Sequence, residues 1–216
     1  MRGWSTVAGM ALFAGVALGA CVERPPCTAS ADCSSDAACS AGRCRPLVPE
    51  SVPAATRRAV LLPDKVAAVY ADDARAWPEA VVFGSSALGA ATLYLSFPAG
   101  PPQRLAQAFL ILEPIEPSAA TSGVVTARAS RVRETWEARE LEPHGAPELA
   151  LPEAKAVSPV SPAHALRLDV TELVHYWKGS PRHNHGLALT ATTGGGSAMT
   201  YAARGARGPR LELYLH

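Results

Sequence analysis

The residues with the most distinctive chemistry in this chain are its five cysteines, which all lie between Cys21 and Cys44. In an exported protein such thiols form disulfides, and in other settings they bind zinc. Cys27, Cys33, Cys39 and Cys44 are separated by five, five and four residues, in a stretch of Ser, Ala, Asp and Gly with almost nothing apolar to bury. Because such a segment cannot hold itself together by a hydrophobic core, we predict two disulfides among these four cysteines.

The alternative for these cysteines is a structural zinc site. Such sites usually take their cysteines in pairs two to four residues apart, and most of the spacings here are wider. An oxidising compartment also favours disulfides over metal binding, so no metal is predicted. Four cysteines can pair in three ways, and the sequence does not choose among them.

Cys21 stands apart from the other cysteines because it ends an apolar N-terminal segment. Arg2 supplies a basic start, residues 7–17 are apolar, and Leu18-Gly19-Ala20-Cys21 follows. These four residues resemble a lipobox, the signal for attaching lipid to the cysteine thiol and for cleavage just before it. A transmembrane helix needs about 20 apolar residues, and this run is shorter. We therefore predict a lipoprotein signal peptide over residues 1–20 and a lipid on Cys21. The alternative is an ordinary secretory signal cleaved nearby, which leaves Cys21 as a free thiol or a disulfide partner.

A lipid on Cys21 predicts a protein that is anchored to a membrane of the bacterial cell envelope. Val22, rather than Asp, follows the cysteine, which is compatible with sorting to the outer membrane. The expected location is therefore the outer membrane, facing the periplasm or the cell surface.

Charge and motifs argue against several classes of function. The 20 Lys+Arg and 19 Asp+Glu residues give almost no net charge, so nucleic acid is not an expected partner. The sequence contains no Gly-x-Ser-x-Gly, no His-Glu-x-x-His and no phosphate-binding glycine loop. His175, His183 and His185 lie close together, but no carboxylate is placed to complete a metal site with them. We predict no catalytic residue, no cofactor and no metal, and therefore not an enzyme.

Three residues are candidates for binding a ligand: Trp77, Trp136 and Glu137. Trp136 and Glu137 could form a platform that stacks on a sugar ring beside an accepting carboxylate, because aromatic faces bind the apolar faces of pyranoses. The alternative for Trp136 is a packed core residue. Trp77 precedes Pro78 in a predicted loop, so it is the better candidate for an exposed ring.

The elements that would position these residues follow the cysteine-rich segment, residues 21–45. Residues 46–63 carry four prolines and little periodicity, which predicts a semi-extended linker. Residues 64–216 contain short apolar segments that are broken by Gly and Pro, with strand candidates at 66–70, 81–83, 92–97, 105–113, 124–129, 166–168, 187–191, 199–203 and 211–215. This pattern predicts an all-β domain, an antiparallel, jelly-roll-like β-sandwich with one short helix, preceded by a small disulfide-rich segment.

One segment has a helical pattern instead. Its apolar residues recur on a single face and are Val170, Leu173, Val174 and Trp177. Asp169 is placed to cap the first turn, Glu172 to complete a capping box, and Gly179 to end the helix. We predict a short helix packed over the sandwich, with Trp177 filling one end of the core.

Six short motifs follow one another through residues 66–215. They are Thr92-Leu-Tyr-Leu-Ser-Phe97, Ala108-Phe-Leu-Ile-Leu112, Val132-Arg-Glu-Thr-Trp136-Glu137, Leu168-Asp-Val-Thr171 with Val174 and Trp177, Asn184-His-Gly-Leu-Ala-Leu189, and Gly208-Pro-Arg-Leu-Glu-Leu213. In this order they resemble the DNRLRE domain, a β-sandwich module grouped with carbohydrate-binding module family 96. The chain departs from that family at Ser96 and Pro98, where a polar pair is usual.

The resemblance implies a sandwich in an exported protein, and some members of the family are associated with polysaccharide binding. Since a fold does not carry a function with it, this remains an expectation. We predict a non-catalytic, lipid-anchored envelope protein whose sandwich binds an extracellular polysaccharide or an envelope protein. The alternative is a purely structural or protein-interaction lipoprotein with no carbohydrate ligand.

Overall fold

The computed structural model describes residues 32–34, 37–40, 43–46, 57–84, 91–115, 124–159, 165–193 and 198–216. Within these residues the chain forms an antiparallel β-sandwich with one α-helix, as the hydrophobic pattern predicts. The predicted signal peptide, Cys21 and Cys27 lie outside the described residues. No helix in the described part of the chain is long and apolar enough to span a membrane.

Fourteen strands make up about half of the described residues, and all paired strands run antiparallel. They are β1 (Ala37–Ser40), β2 (Arg43–Pro46), β3 (Arg57–Leu61), β4 (Lys65–Val69), β5 (Ala74–Ala76), β6 (Ala80–Gly84), β7 (Thr92–Ser96), β8 (Leu105–Leu112), β9 (Val124–Arg131), β10 (Ala154–Pro159), β11 (Leu166–Asp169), β12 (Leu187–Thr193), β13 (Ala198–Ala202) and β14 (Arg210–Leu215). The larger sheet has the order β2-β1-β10-β9-β12-β7-β4-β5, the smaller sheet has the order β11-β8-β14-β3, and β6 pairs with β13. The helix, α1 (Thr171–Gly179), follows β11.

The main hydrophobic core joins residues of both sheets. Strand β8 lies between β11 and β14 in the smaller sheet. Its Leu110 and Leu112 belong to the main core, while Phe109 and Ile111 on the opposite face are also buried. A strand that is covered on both faces needs apolar residues at consecutive positions, which is the pattern of this segment.

The outer face of the smaller sheet carries charged side chains that pack on its apolar residues. The Arg167 guanidinium lies 3.9 Å from the ring centroid of Phe109. Glu212 is buried, and Arg58 Nη2 donates a hydrogen bond to its Oε1 at 2.5 Å. Burial raises the pKa of the Glu212 carboxyl, but the hydrogen bonds from Arg58 and Arg210 and the charges of Arg58 and Arg167 outweigh it and bring the pKa below its usual value. The buried carboxylate therefore stays ionised and paired.

Helix α1 packs its apolar stripe on the main core, and the stripe is the predicted one. Its first turn differs from the prediction, because Val170 is the N-cap residue and has no polar side chain to cap with. The capping box with Glu172 therefore does not form. Asp169 still binds the first turn, since its Oδ1 accepts the backbone N–H of Thr171 at 3.0 Å.

The C-terminal end of α1 also differs from the prediction. Gly179 is the last helical residue, rather than a terminator beyond the helix. Ser180 is the C-cap, and its N–H donates to the carbonyl oxygens of Tyr176 and Trp177. Pro181 follows and cannot continue the helical hydrogen bonds, so the stop signal comes from the proline rather than from the glycine.

The cysteine-rich segment is attached to the sandwich. Strands β1 and β2 form a hairpin, and β1 pairs with β10 through Ser40 and Ala156. Cys33 and Cys44 form a disulfide with their Cα atoms 5.5 Å apart, which confirms one of the two predicted bridges. Cys27 and the side chain of Cys39 lie outside the described part of the chain, so the second bridge stays a prediction.

The linker predicted for residues 46–63 contains a strand. Strand β3 pairs with β14 at the edge of the smaller sheet, and its Ala59 and Leu61 pack on the main core. The sandwich therefore begins no later than Arg57, rather than at residue 64. The alternation of this strand spans only five residues and is flanked by prolines, so it is too short to stand out from a linker.

Candidate functional site

Trp136 belongs to a second, smaller core on the outer face of the larger sheet. It is 6% exposed, and its indole Nε1 donates to the His185 carbonyl at 2.7 Å. Its ring meets Tyr94 edge to face, with 5.8 Å between the centroids. Since both its apolar surface and its polar atom are used inside the protein, the structure supports the core interpretation of Trp136 and not the ligand platform.

Glu137 is exposed, but its carboxylate is engaged. Lys65 Nζ lies 2.5 Å from Glu137 Oε1 and also donates to the Trp136 carbonyl at 2.9 Å. Lys65 begins β4, so this pair fastens the segment that covers the second core to the sheet beneath it. The Trp136–Glu137 pair thus has a structural role in the described residues.

Trp77 is the exposed aromatic of the three candidates, as predicted. Its side chain is 38% exposed, and it lies between β5 and β6. Its φ angle is +50°, in the left-handed region that bulky residues rarely adopt, and it is the sole described residue other than glycine with a positive φ. Such a conformation costs about 1–3 kcal/mol and is found mostly where the surrounding structure imposes it. Here the Trp77 N–H donates to the Val66 carbonyl at 2.9 Å, which fixes the backbone beside β4.

Trp77 lines a groove at one end of the sandwich, and we name it the Trp77 groove. Its volume is about 220 Å³, and three separate segments form it, with Leu62, Pro63, Val66, Trp77, Ala203, Arg204, Gly205, Gly208 and Pro209 as the lining residues. Most of the lining is apolar. Neither Trp136 nor Glu137 lines this groove, so the structure does not bring the three predicted ligand residues together.

Two glycines shape one wall of the Trp77 groove. Gly205 has a φ of +76°, which favours glycine. A Cβ at Gly208 would lie 2.8 Å from the Arg204 Cα, so position 208 must also be glycine for the chain to turn here. The tight turn brings Pro209 and Arg204 to the groove.

The polar groups of the Trp77 groove are at its rim. Arg204 lines the groove and forms an ion pair with Glu79. Both side chains are more than half exposed, so the pair is accessible to solvent and contributes little to stability. An amphipathic ring, two prolines and the Arg204 guanidinium therefore line one concavity, and the Glu79 carboxylate is paired with that guanidinium. The sequence does not predict that the glycine turn and the exposed Leu62 line the same groove as Trp77, since residues 62, 77 and 204–209 are distant in the chain.

The three clustered histidines are not brought together. His175 lines a concavity at the start of α1, whereas His183 and His185 line another one, beside Tyr176. The described residues contain no group of three His, Cys, Asp or Glu side chains that could hold a metal ion. His183 instead stacks on the ring of Tyr176, with 6.3 Å between the centroids.

The chain matches no protein-family model and no curated protein. The resemblance of its motifs to the DNRLRE domain therefore stays a prediction, and the candidate site rests on geometry alone.

Proposed function

We propose that this protein is a non-catalytic, lipid-anchored component of the bacterial cell envelope, and that its sandwich binds an extracellular glycan in the Trp77 groove. The observation that carries the proposal is the exposed ring of Trp77 on a left-handed backbone. If the Trp77 side chain had no role, a glycine at this position would adopt the same positive φ at lower conformational cost.

The groove has the chemistry that a sugar ring requires. An indole face binds the apolar face of a pyranose, and hydroxyl groups at the edge of the ring need donors and acceptors. Arg204, which lines the groove, supplies donors, and its ion-pair partner Glu79 supplies acceptors next to Arg204. The volume of about 220 Å³ suits an end or a single unit of a glycan better than a long chain. The motif resemblance to a family with polysaccharide-binding members supports the same proposal.

Trp77→Ala is expected to weaken glycan binding about tenfold or more, because a ring stacked on a sugar contributes both buried area and a directional contact. The measurement is a glycan array on the purified protein, followed by titration of the best ligand. Tyr176→Ala is the matched control, since Tyr176 is exposed to a similar extent, 40%, and does not line the groove. Equal binding by Trp77→Ala and the unaltered protein would place the glycan elsewhere.

The lipid anchor is tested at Cys21. Cys21→Ser is expected to abolish labelling by an alkyne fatty acid and to leave an uncleaved precursor, because the thiol is the attachment point of the lipid. Cys27→Ser is the matched control and is expected to be labelled normally. If the label persists in Cys21→Ser, the lipoprotein proposal is wrong.

A second candidate function is docking of another envelope protein, with no carbohydrate ligand. Its support is the edge strand β3, on which Val60 is exposed, together with the exposed Leu62 just after it. An open strand edge with apolar side chains can pair with a strand of another chain. The glycan array distinguishes glycan binding from protein docking. If no glycan on the array binds and residue 62 crosslinks to a partner protein, the docking function is favoured.

A further inference from the structure

A larger concavity lies next to α1, and we name it the Trp177 cavity. It has a volume of about 360 Å³ and is lined by α1, by residues 97–102 and by the adjoining ends of β3 and β14. The floor is buried, with Phe97, Trp177 and Leu213 all at most 5% exposed, whereas Pro98 and Pro102 at the mouth are exposed. The Trp177 cavity and the Trp77 groove share no lining residue.

The mouth of the Trp177 cavity carries a single charged residue. Lys178 lines it, and no Asp or Glu is among the lining residues. Lys178 Nζ donates to the Pro101 carbonyl, which uses one of its three donors, and it takes part in no ion pair in the described part of the chain. Asn184, also at the mouth, is engaged with the backbone, since its Nδ2 donates to the Phe97 carbonyl at 3.2 Å. The ammonium is thus the cationic group with free donors for a ligand.

Position 100 keeps this space open. Gly100 lines the cavity, and a Cβ there would lie 3.0 Å from Leu213 Cδ1 and 3.5 Å from Leu61 Cδ1, which are both lining residues. A side chain at this position would therefore extend into the space above the floor. The absence of a side chain leaves an opening that closely packed interiors normally fill.

We propose that the Trp177 cavity binds a small amphiphilic carboxylate, with its apolar body on the floor and its carboxylate at the Lys178 ammonium. The volume lies at the lower end of the range for ligand pockets, about 300–1,000 Å³, which fits a short acyl chain or a single aromatic ring. The apolar floor favours the apolar part of the ligand over water, because water on this floor finds few hydrogen-bond partners. The unpaired ammonium selects an anionic head, through a charge-assisted hydrogen bond. This site is independent of glycan binding in the Trp77 groove.

The proposal is tested by calorimetric titration of the purified protein with three probes of equal chain length: octanoate, octylammonium and 1-octanol. Lys178→Met keeps the apolar stem of the lysine and removes the charge. Gly100→Val fills the cavity from its wall. Lys155→Met is the matched control, because Lys155 lies on β10 and does not line the cavity. Thermal melting checks that each variant is folded.

We expect saturable binding of octanoate, weaker binding of 1-octanol and none of octylammonium. Lys178→Met should weaken octanoate about tenfold, as expected for the loss of one hydrogen bond to a charged group, and leave 1-octanol unchanged. Folded Gly100→Val should lose both ligands, and Lys155→Met should bind as the unaltered protein does. Absence of saturable octanoate binding, equal binding of octylammonium, or an unchanged affinity in Lys178→Met would each overturn the proposal.

Discussion

Gly186→Ala is expected to lower the free energy of unfolding by about 3–5 kcal/mol, the largest effect that we predict for a single added methyl group. Gly186 has a φ of +86°, and a Cβ there would lie 2.2 Å from the Leu95 carbonyl oxygen and 3.0 Å from the Ser96 Cα. Both neighbours are backbone atoms of β7, so they cannot move aside as a side chain would. Strain at a positive φ and overpacking each cost about 1–3 kcal/mol.

The control for this prediction is Gly205→Ala. Gly205 also has a positive φ, +76°, but its Cβ would meet no atom within 4 Å. It should therefore cost only the conformational strain, about 1 kcal/mol. Urea denaturation of the two variants distinguishes the cost of backbone strain from the cost of the overlap between the added Cβ and β7. Equal midpoints would show that the close approach of Gly186 to β7 is relieved without cost.

Trp177→Ala is expected to cost about 3–5 kcal/mol, enough to threaten a domain of ordinary stability. Trp177 is 5% exposed and belongs to the main core, as its place in the helical stripe predicts. Its indole Nε1 is buried and has no hydrogen-bond partner in the described residues, so the variant breaks no hydrogen bond. The whole loss would come from packing, which makes this a clean measure of how much α1 contributes by covering the core.

Trp77→Ala is the counterpart in the same measurement. Its ring is partly exposed, and alanine inherits the same positive φ, so its midpoint in urea should move little. An unchanged midpoint for Trp177→Ala as well would contradict the burial of that ring. If Trp77→Ala loses glycan binding without losing stability, this result would support a binding role for Trp77 and a packing role for Trp177.

The sequence predicts the central parts of this fold because their patterns are long. Strand β8 has eight residues, nearly all apolar, and the stripe of α1 repeats over two turns. At the edge strand β3 the sequence predicts a linker instead, since an edge strand buries one face only and needs few apolar residues. The predicted ends of α1 also differ from the structure, because capping depends on which backbone groups remain free and not on residue type alone.

The candidate site was predictable only in part. The exposure of Trp77 follows from its position before Pro78, but its left-handed backbone depends on a hydrogen bond to Val66, which no local pattern contains. The walls of the groove come from distant turns, and only the fold brings Arg204 and Leu62 beside the ring. The burial of Trp136 likewise depends on its contact with Tyr94 of β7, which is distant in the chain.

The attachment of the hairpin β1–β2 to β10 has a consequence for how far the sandwich can reach. Because the folded domain includes this hairpin, only ten residues separate Cys21 from Asp32, at the start of the described chain. Fully extended, these residues span about 40 Å at most. With a lipid on Cys21, as proposed, the near side of the folded domain could lie no more than about 40 Å from the bilayer. A polysaccharide would then have to approach the membrane to be bound by this domain.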